Sequence, residues 1–458
     1  MQQQSIQFGV PDEFRQNIRN GLFSIITEIE PPLKKQQFSL AITPMRAALK
    51  AAAGSNSVAS CLVCDRSKGE ASYKSSNLQP LVTDVLNRVP IVALSGKGRK
   101  KEELKRVIAE ITSQGSKNFL ALTGDKSDLH KDTKVYEKGY IDSLDILREL
   151  KAQGKENFTG VAVNPFKYDP ASLLTQYAKL VKKVKHGADF VITQCGWDMA
   201  KFQELQWFMQ VRGITIPTIA RILLPNLEDI KNIESGVKPG LTISKVFAAA
   251  MQREANVNYE QALAANIHRV GLIAAGCKIL GYSGISISGL TDERVSRITL
   301  EKINTFMKRY DNWTDWRKAW QHFHGDLRFA PENYHYYLFN NLLGEDKECR
   351  PDRCSLQEFE LEPLEWRKKL RYHISHLLRI DRSNGPIYGP LKMFMYKSLT
   401  SDRRLCYLPS DKCPKGLIEG PCGGTLHGGE CEFKHGKCLF TRLFSFAKWL
   451  NIIDKLEG

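Results

Sequence analysis

Short apolar runs and amphipathic stretches alternate along most of this chain. Residues 23–28, 58–64, 89–94, 118–123, 160–164, 189–194, 215–223 and 283–288 are apolar over a strand's length, as expected of a parallel sheet buried on both faces. Between them, apolar positions recur at helical spacing over 102–113, 144–151, 172–185 and 198–212, and the alanine-rich stretch 244–277 continues in the same manner; these predict helices. Gly115, Gly154, Gly187 and Gly213 read as stops after a last helical turn. The eight strand–helix repeats predict an α/β fold, a (β/α)8 TIM barrel over residues 1–308. A doubly wound open sheet is the competing architecture, but no G-x-G-x-x-G follows an early strand.

Beyond the barrel the texture changes. Trp313, Trp316 and Trp320 stand at helical spacing, ahead of Phe323, Phe329, Tyr334, Tyr336, Tyr337 and Phe339. Such a stripe reads as packing, so residues 309–390 are expected to be a connecting segment docked on the barrel. Its charged part, 345–390, shows no clear pattern. Residues 391–458, rich in cysteine and glycine, are expected to form a small domain.

At 458 residues, 42% hydrophobic and 25% charged, the chain has the composition of a soluble globular protein. The apolar stretch at 270–280 is interrupted by Lys278, and the start, Met1-Gln-Gln-Gln-Ser-Ile-Gln-Phe8, lacks the regions of a signal peptide. No membrane span and a cytoplasmic setting are expected. Seven of the eleven cysteines follow residue 345, and in a reducing compartment such a cluster points to metal or redox work over disulfides. The net charge of +16 is mostly interleaved with acids, as in Lys100-Lys-Glu-Glu-Leu-Lys-Arg106. That argues against nucleic acid and leaves an anionic small molecule as the better partner.

The strand ends carry the candidate chemistry. In Asn118-Phe-Leu-Ala-Leu-Thr-Gly-Asp125 an apolar run stops at glycine and delivers a carboxylate, where a barrel places its functional groups. A turn aspartate would fit Asp125 equally well. Glu28 closes the first strand in Thr27-Glu-Ile-Glu-Pro-Pro32, and alternation puts it on one face with Glu30. Paired carboxylates make a general acid or merely an acidic rim. Gln194 ends Gly187-Ala-Asp-Phe-Val-Ile-Thr-Gln194, and Asn164 precedes Pro165; either could meet a polar ring or cap a strand. Cys61 and Cys64 form C-x-x-C, but on a strand they face opposite sides and read as buried or rim thiols.

Taken in order, Thr27-Glu-Ile-Glu-Pro-Pro32, Ala121-Leu-Thr-Gly-Asp125, Val163-Asn-Pro165, Gly187–Gln194 and Arg221-Ile-Leu-Leu-Pro225 resemble the methylenetetrahydrofolate reductase family over about residues 20–300. The resemblance implies a flavin-containing barrel that reduces 5,10-methylenetetrahydrofolate to 5-methyltetrahydrofolate in one-carbon metabolism, with FAD as cofactor and NAD(P)H as electron donor. Glu28 would then be the general acid that opens the folate ring to an iminium. Asp125 would lie beside the pterin and the flavin, and Gln194 would hydrogen-bond the folate. Gly124 and Asn164 would line the flavin, and Lys182 and Lys183 would meet its phosphates. A homo-oligomer and a redox partner protein would fit this setting. The reaction could also run oxidatively, and a folate-binding or scaffolding subunit without flavin is the alternative. The chain departs from the bacterial pattern at Leu122-Thr-Gly-Asp125, where the bacterial reductases carry Leu-Arg-Gly-Asp, and at Cys64-Asp65, which replaces a threonine–tyrosine pair.

The C-terminal part contains Cys406, Cys413, Cys422, Cys431 and Cys438. Glycines beside them allow close backbone approach, though the spacings are not those of a zinc ribbon. The stretch resembles the C-terminal domain fused to some reductases of this family or carried by a partner subunit. Cys413, Cys422, Cys431 and Cys438 are the expected ligands of zinc or an iron–sulfur cluster, with Cys406 as the spare. The relatives' upstream cysteine run is replaced here by Phe394-Met-Tyr-Lys-Ser398.

Overall fold

The computed structural model describes residues 9–65, 71–126, 139–345 apart from 239, and 413–451 apart from 434 and 435, with 347, 359, 366, 369, 370 and 453–457. Cys406, the 394–398 stretch and most of the charged 345–390 segment lie outside these residues.

Eight parallel strands close into one barrel in chain order. They are β1 (Ser24–Ile29), β2 (Val58–Val63), β3 (Ile91–Ser95), β4 (Asn118–Leu122), β5 (Phe158–Val163), β6 (Phe190–Thr193), β7 (Thr218–Leu223) and β8 (Gly284–Ser288). β1 and β8 pair, sealing the sheet. The expected strands and these agree closely because each run is buried from both sides and so is apolar throughout.

The barrel interior is a packed core. Ile26, Leu62, Ile91, Ala93, Leu120, Phe190, Ile192 and Ile219 meet there. Phe14, from the N-terminal helix Glu13–Arg19, joins this cluster and packs edge-on to Phe158 and Phe190. Gly160 of β5 leaves the space Phe190 needs, since a Cβ would lie 2.3 Å from its ring. One step further along the same inward rows the residues turn polar, with Glu28, Ser95, Gln194, Arg221 and Ser286. Alternation thus lifts a polar layer to the C-terminal mouth.

The helices begin at that mouth on aspartate caps. Asp142, Asp169, Asp198 and Asp292 each accept a backbone N–H of the following first turn. Gly115, Gly187 and Gly213 have positive φ after their helices, whereas Gly154 is extended at φ −176°. The stretch expected to be helical over 244–277 is two helices, Lys245–Val257 and Tyr259–Ile279. Asn258 breaks them, with extended backbone and a side chain that caps the second. The tryptophan stripe lies on the helix Trp313–His324 and joins the main core. Trp316 is fully buried, and its indole donates to Leu272 O at 2.7 Å.

Among the described residues no helix is long and apolar enough to cross a membrane.

Candidate active site at the barrel mouth

Glu28 and Gln194 come together through a residue between them. Arg221 of β7 donates from Nε to Glu28 Oε1 at 2.8 Å and from Nη2 to Oε2 at 2.6 Å. Its Nη1 reaches Gln194 Oε1 at 3.4 Å. Ser286 of β8 donates a further bond to Glu28 Oε1 at 2.7 Å. The Glu28 side chain is 2% exposed and that of Arg221 24%, so the carboxylate is sealed while its partner opens to the mouth. Fork-on-carboxylate geometry of this kind is strong and directional. Glu30, beyond the end of β1, is exposed.

Asp125 opens to the cleft from the β4 end. Protein crowding nonetheless raises its carboxyl above the ordinary value, against the pull of Lys415 and Lys97 and with help from Glu432. Gly124, at φ +91°, turns the chain there, where a Cβ would strike Ser95 and Lys97. On the neighbouring side, Asp65 and Arg99 form a buried ion pair, and Asp65 also accepts from Ser95 N at 2.8 Å.

Residues 13–287 match the family model described as methylenetetrahydrofolate reductase. The chain belongs to the methylenetetrahydrofolate reductase family. Residues 398–458 match the model for the methylene-tetrahydrofolate reductase C terminal. The chain is 36% identical over 115 residues to methylenetetrahydrofolate reductase 1 of Schizosaccharomyces pombe, covering 24% of this chain and 18% of that protein. It is 26% identical over 163 residues to methylenetetrahydrofolate reductase 2 of Saccharomyces cerevisiae, covering 34% and 26%. The aligned stretches thus span less than a third of the yeast proteins' lengths. A Clostridium thermocellum protein that binds two copies of 5-methyl-5,6,7,8-tetrahydrofolic acid shares 14% identity over 64% of this chain and 99% of its own, with a TM-score of 0.48, too remote a likeness to argue from.

Of the residues that the reductase family leads one to expect around a flavin, Asn164 stands at the mouth and Lys182 and Lys183 stand near the far end of the helix Pro170–Lys185 that begins there, and their polar atoms are already engaged. Asn164 donates to Gly240 O at 2.8 Å and Gly423 O at 3.0 Å. Lys182 donates to Glu419 O at 3.1 Å. Lys183 points back into the barrel wall, onto Ala162 O at 2.6 Å. Lys415 holds the carbonyl of Gly124 at 2.6 Å. The partners Gly423, Glu419 and Lys415 all belong to the C-terminal domain, which sits on the mouth over the ends of β4 and β5.

Within that domain Cys413, Cys422, Cys431 and Cys438 line one cavity of about 20 Å³, room for a single small guest. Soft thiolates in this number suit zinc or iron. Among the described residues no three metal-ligating side chains close to ion-binding distance as they stand; Cys422 Sγ instead lies 3.2 Å from Glu432 Oε1. Glu432 is paired with Lys415 at 2.5 Å. Burial opposes the Lys415 charge, yet Cys422, Glu432 and Asp125 outweigh it and hold the ammonium above its ordinary value. Burial pushes the Cys438 thiol up to about 12.

Cys61 is buried and Cys64 half-buried at the β2 end, where burial raises both thiols. They remain inert by that measure.

Sequence reasoning treats Arg221 only as the start of a motif and passes over Ser286. A charged residue inside the otherwise apolar β7, on the same parity as the core residue Ile219, is the signal that marks it. Lys415 and Glu432 carry no such signal, since they meet each other only in the folded domain and their further partners, Gly124 and Lys126, lie on the barrel.

Proposed function

We propose that this chain acts on the folate of the methylenetetrahydrofolate reductase family at the barrel mouth, opening 5,10-methylenetetrahydrofolate to an iminium that becomes 5-methyltetrahydrofolate when a reduced nicotinamide, as co-substrate, delivers a hydride to its methylene carbon. The observation that carries this is the Glu28–Arg221–Gln194 constellation at the ends of β1, β7 and β6. In this reading the pterin displaces Arg221 from part of its fork. Glu28 then takes up a proton and delivers it to the ring nitrogen whose bond to the methylene carbon breaks. The iminium left behind is a cation, and the Asp125 carboxylate stabilises it. Gln194 offers both a donor and an acceptor to the pterin edge.

FAD and a nicotinamide donor are what the family implies. The residues expected to hold FAD do not present a free cradle, because Asn164 and Lys182 are bonded to the C-terminal domain and Lys183 to the barrel wall. No step of this mechanism passes through flavin. The same contacts favour the second reading, a folate-binding subunit without flavin.

Four thiols around one cavity support a zinc or iron site in the C-terminal domain, held by Cys413, Cys422, Cys431 and Cys438. Metal binding would deprotonate them and draw them together.

Exchange of labelled formaldehyde into methylenetetrahydrofolate tests the catalytic reading, because it needs ring opening and no reductant. Wild-type protein should accelerate the exchange and Glu28→Gln should not. Equal rates in both would leave only folate binding, to be read by titration with 5-methyltetrahydrofolate.

A further inference from the structure

The C-terminal loop 419–425, Glu419-Gly-Pro-Cys-Gly-Gly-Thr425, lies along a row of buried cationic and amide donors on the helix Pro170–Lys185 and the segment that joins β5 to it. Lys182 donates to Glu419 O at 3.1 Å and Lys179 to Gly420 O at 3.2 Å. Gln176 donates to Cys422 O at 2.6 Å and Asn164 to Gly423 O at 3.0 Å. Lys167 completes the row on Thr425 O. The donors come from one side and the acceptors are main-chain carbonyls, nearly one per residue of the loop.

We infer that this loop is an internal occupant of the anion-binding row, holding the place that the phosphate-bearing arm of a flavin would take. The chain in its docked form therefore excludes flavin from these residues. Three features carry the inference. The row holds three lysines, Lys167, Lys179 and Lys182, all nearly sealed from solvent, and burying that much positive charge is costly unless acceptors meet it. Two carboxylates share the row, Asp142 at 2.9 Å from Lys179 on the barrel side and Glu419 Oε2 at 3.6 Å from Lys182 in the loop; the loop's other contacts are carbonyl dipoles, weaker partners for an ammonium than a phosphate oxygen. The loop is also shaped for close approach. Gly420 has φ +147°, and a Cβ there would lie 2.9 Å from Lys179 Cδ, so only glycine lets the backbone settle on the lysines.

The anchors beyond the loop fit this role. Lys415 ties the domain to Gly124 O, and Glu432 accepts from Lys126 N at 3.3 Å. These bonds set the domain on the β4 end, over Asp125, and leave the Glu28–Arg221 pair beneath untouched. The inference rests on the family reading for what the row would otherwise bind, but not on the folate chemistry of Glu28.

The test is titration of the full chain with FAD, read by quenching of flavin fluorescence, in wild type and two loop variants. Gly420→Val should lift the loop by steric contact with Lys179. Glu419→Lys should do so by repulsion from Lys182 without touching the glycine, which covers a folding failure of the first. Amide hydrogen exchange over 419–425 reports whether the loop has left the row. Wild type is expected to bind no FAD, or to bind it roughly tenfold or more weakly than a variant with a freed loop. Stoichiometric FAD on the wild type with no change in the variants overturns the inference. So does a variant whose loop amides exchange freely and which still takes up no FAD, because the lysine row would then not be a flavin site. Titration with 5-methyltetrahydrofolate runs in parallel; its loss in wild type would count against the folate reading alone.

Discussion

Arg221 grips both oxygens of Glu28, with Nε to Oε1 at 2.8 Å and Nη2 to Oε2 at 2.6 Å. The carboxylate this pair seals in the barrel is the one to which the proposed folate chemistry assigns the proton, so the pair sets the first expectations.

Glu28→Gln keeps the shape and the bond from Ser286 but cannot carry a proton. Formaldehyde exchange should fall by about 100-fold or more, the usual weight of a positioned acid. Glu30→Gln, at the exposed neighbour, should cost far less. Equal losses in the two variants would reassign Glu28 to a structural role.

Arg221→Met leaves the Glu28 carboxylate without its counter-cation. Denaturant unfolding should show a loss of about 1–3 kcal/mol, tempered by the opening of Arg221 to the mouth. Arg221→Lys keeps the charge without the fork and should fall between. A variant as stable as the wild type would show that solvent replaces the guanidinium.

Anaerobic purification and elemental analysis should find about one zinc or iron site per chain, and Cys422→Ser should release it and destabilise the C-terminal domain. Metal-free protein whose stability ignores this substitution would make the cavity a packing feature.

Lys183 sits below its ordinary value, at about 7, because burial disfavours the ammonium and Lys179 adds to it, against Asp142. Between about pH 7 and 10 the unfolded chain holds a proton that the folded chain has released, so this group makes stability rise with pH there. Below that window both states are protonated and the burial cost is constant. Lys183→Met should therefore gain most over the wild type at neutral pH, and its advantage should shrink toward pH 10. Melts of both proteins across this range decide it; a constant difference would mean Lys183 stays charged.

His324 is held down to about 3 by burial, with its bond to Trp320 O opposing and Arg269 and His268 reinforcing. Unfolded, it takes up a proton below about 6.5, so its contribution is lost as pH falls from there toward 3. Among the described residues its Nε2 has no hydrogen-bond partner, and the ring packs on Trp320 at 3.9 Å. His324→Phe should keep the fold and flatten the acid limb of the stability curve, as read by chemical denaturation at several pH values.

The strands, most of the helices and the polar strand ends were legible because their causes are local. A strand covered on both faces must be apolar along its length, and a barrel puts its chemistry where those runs stop. The break at Asn258 was hidden, since a cap inside an alanine-rich stretch depends on how the two helices pack. Only the tertiary structure could join Arg221 to Glu28, 193 positions apart, because closing β1 against β8 brings the ends of β7 and β1 to either side of Ser286. The convergence of four cysteines on one cavity is likewise a product of the folded loop and not of their spacing. The placement of that loop on the lysines of the barrel, across separations such as the 241 positions between Lys179 and Gly420, was decided by charge. Buried ammonium groups must find acceptors, and the nearest carbonyls belong to a distant part of the chain.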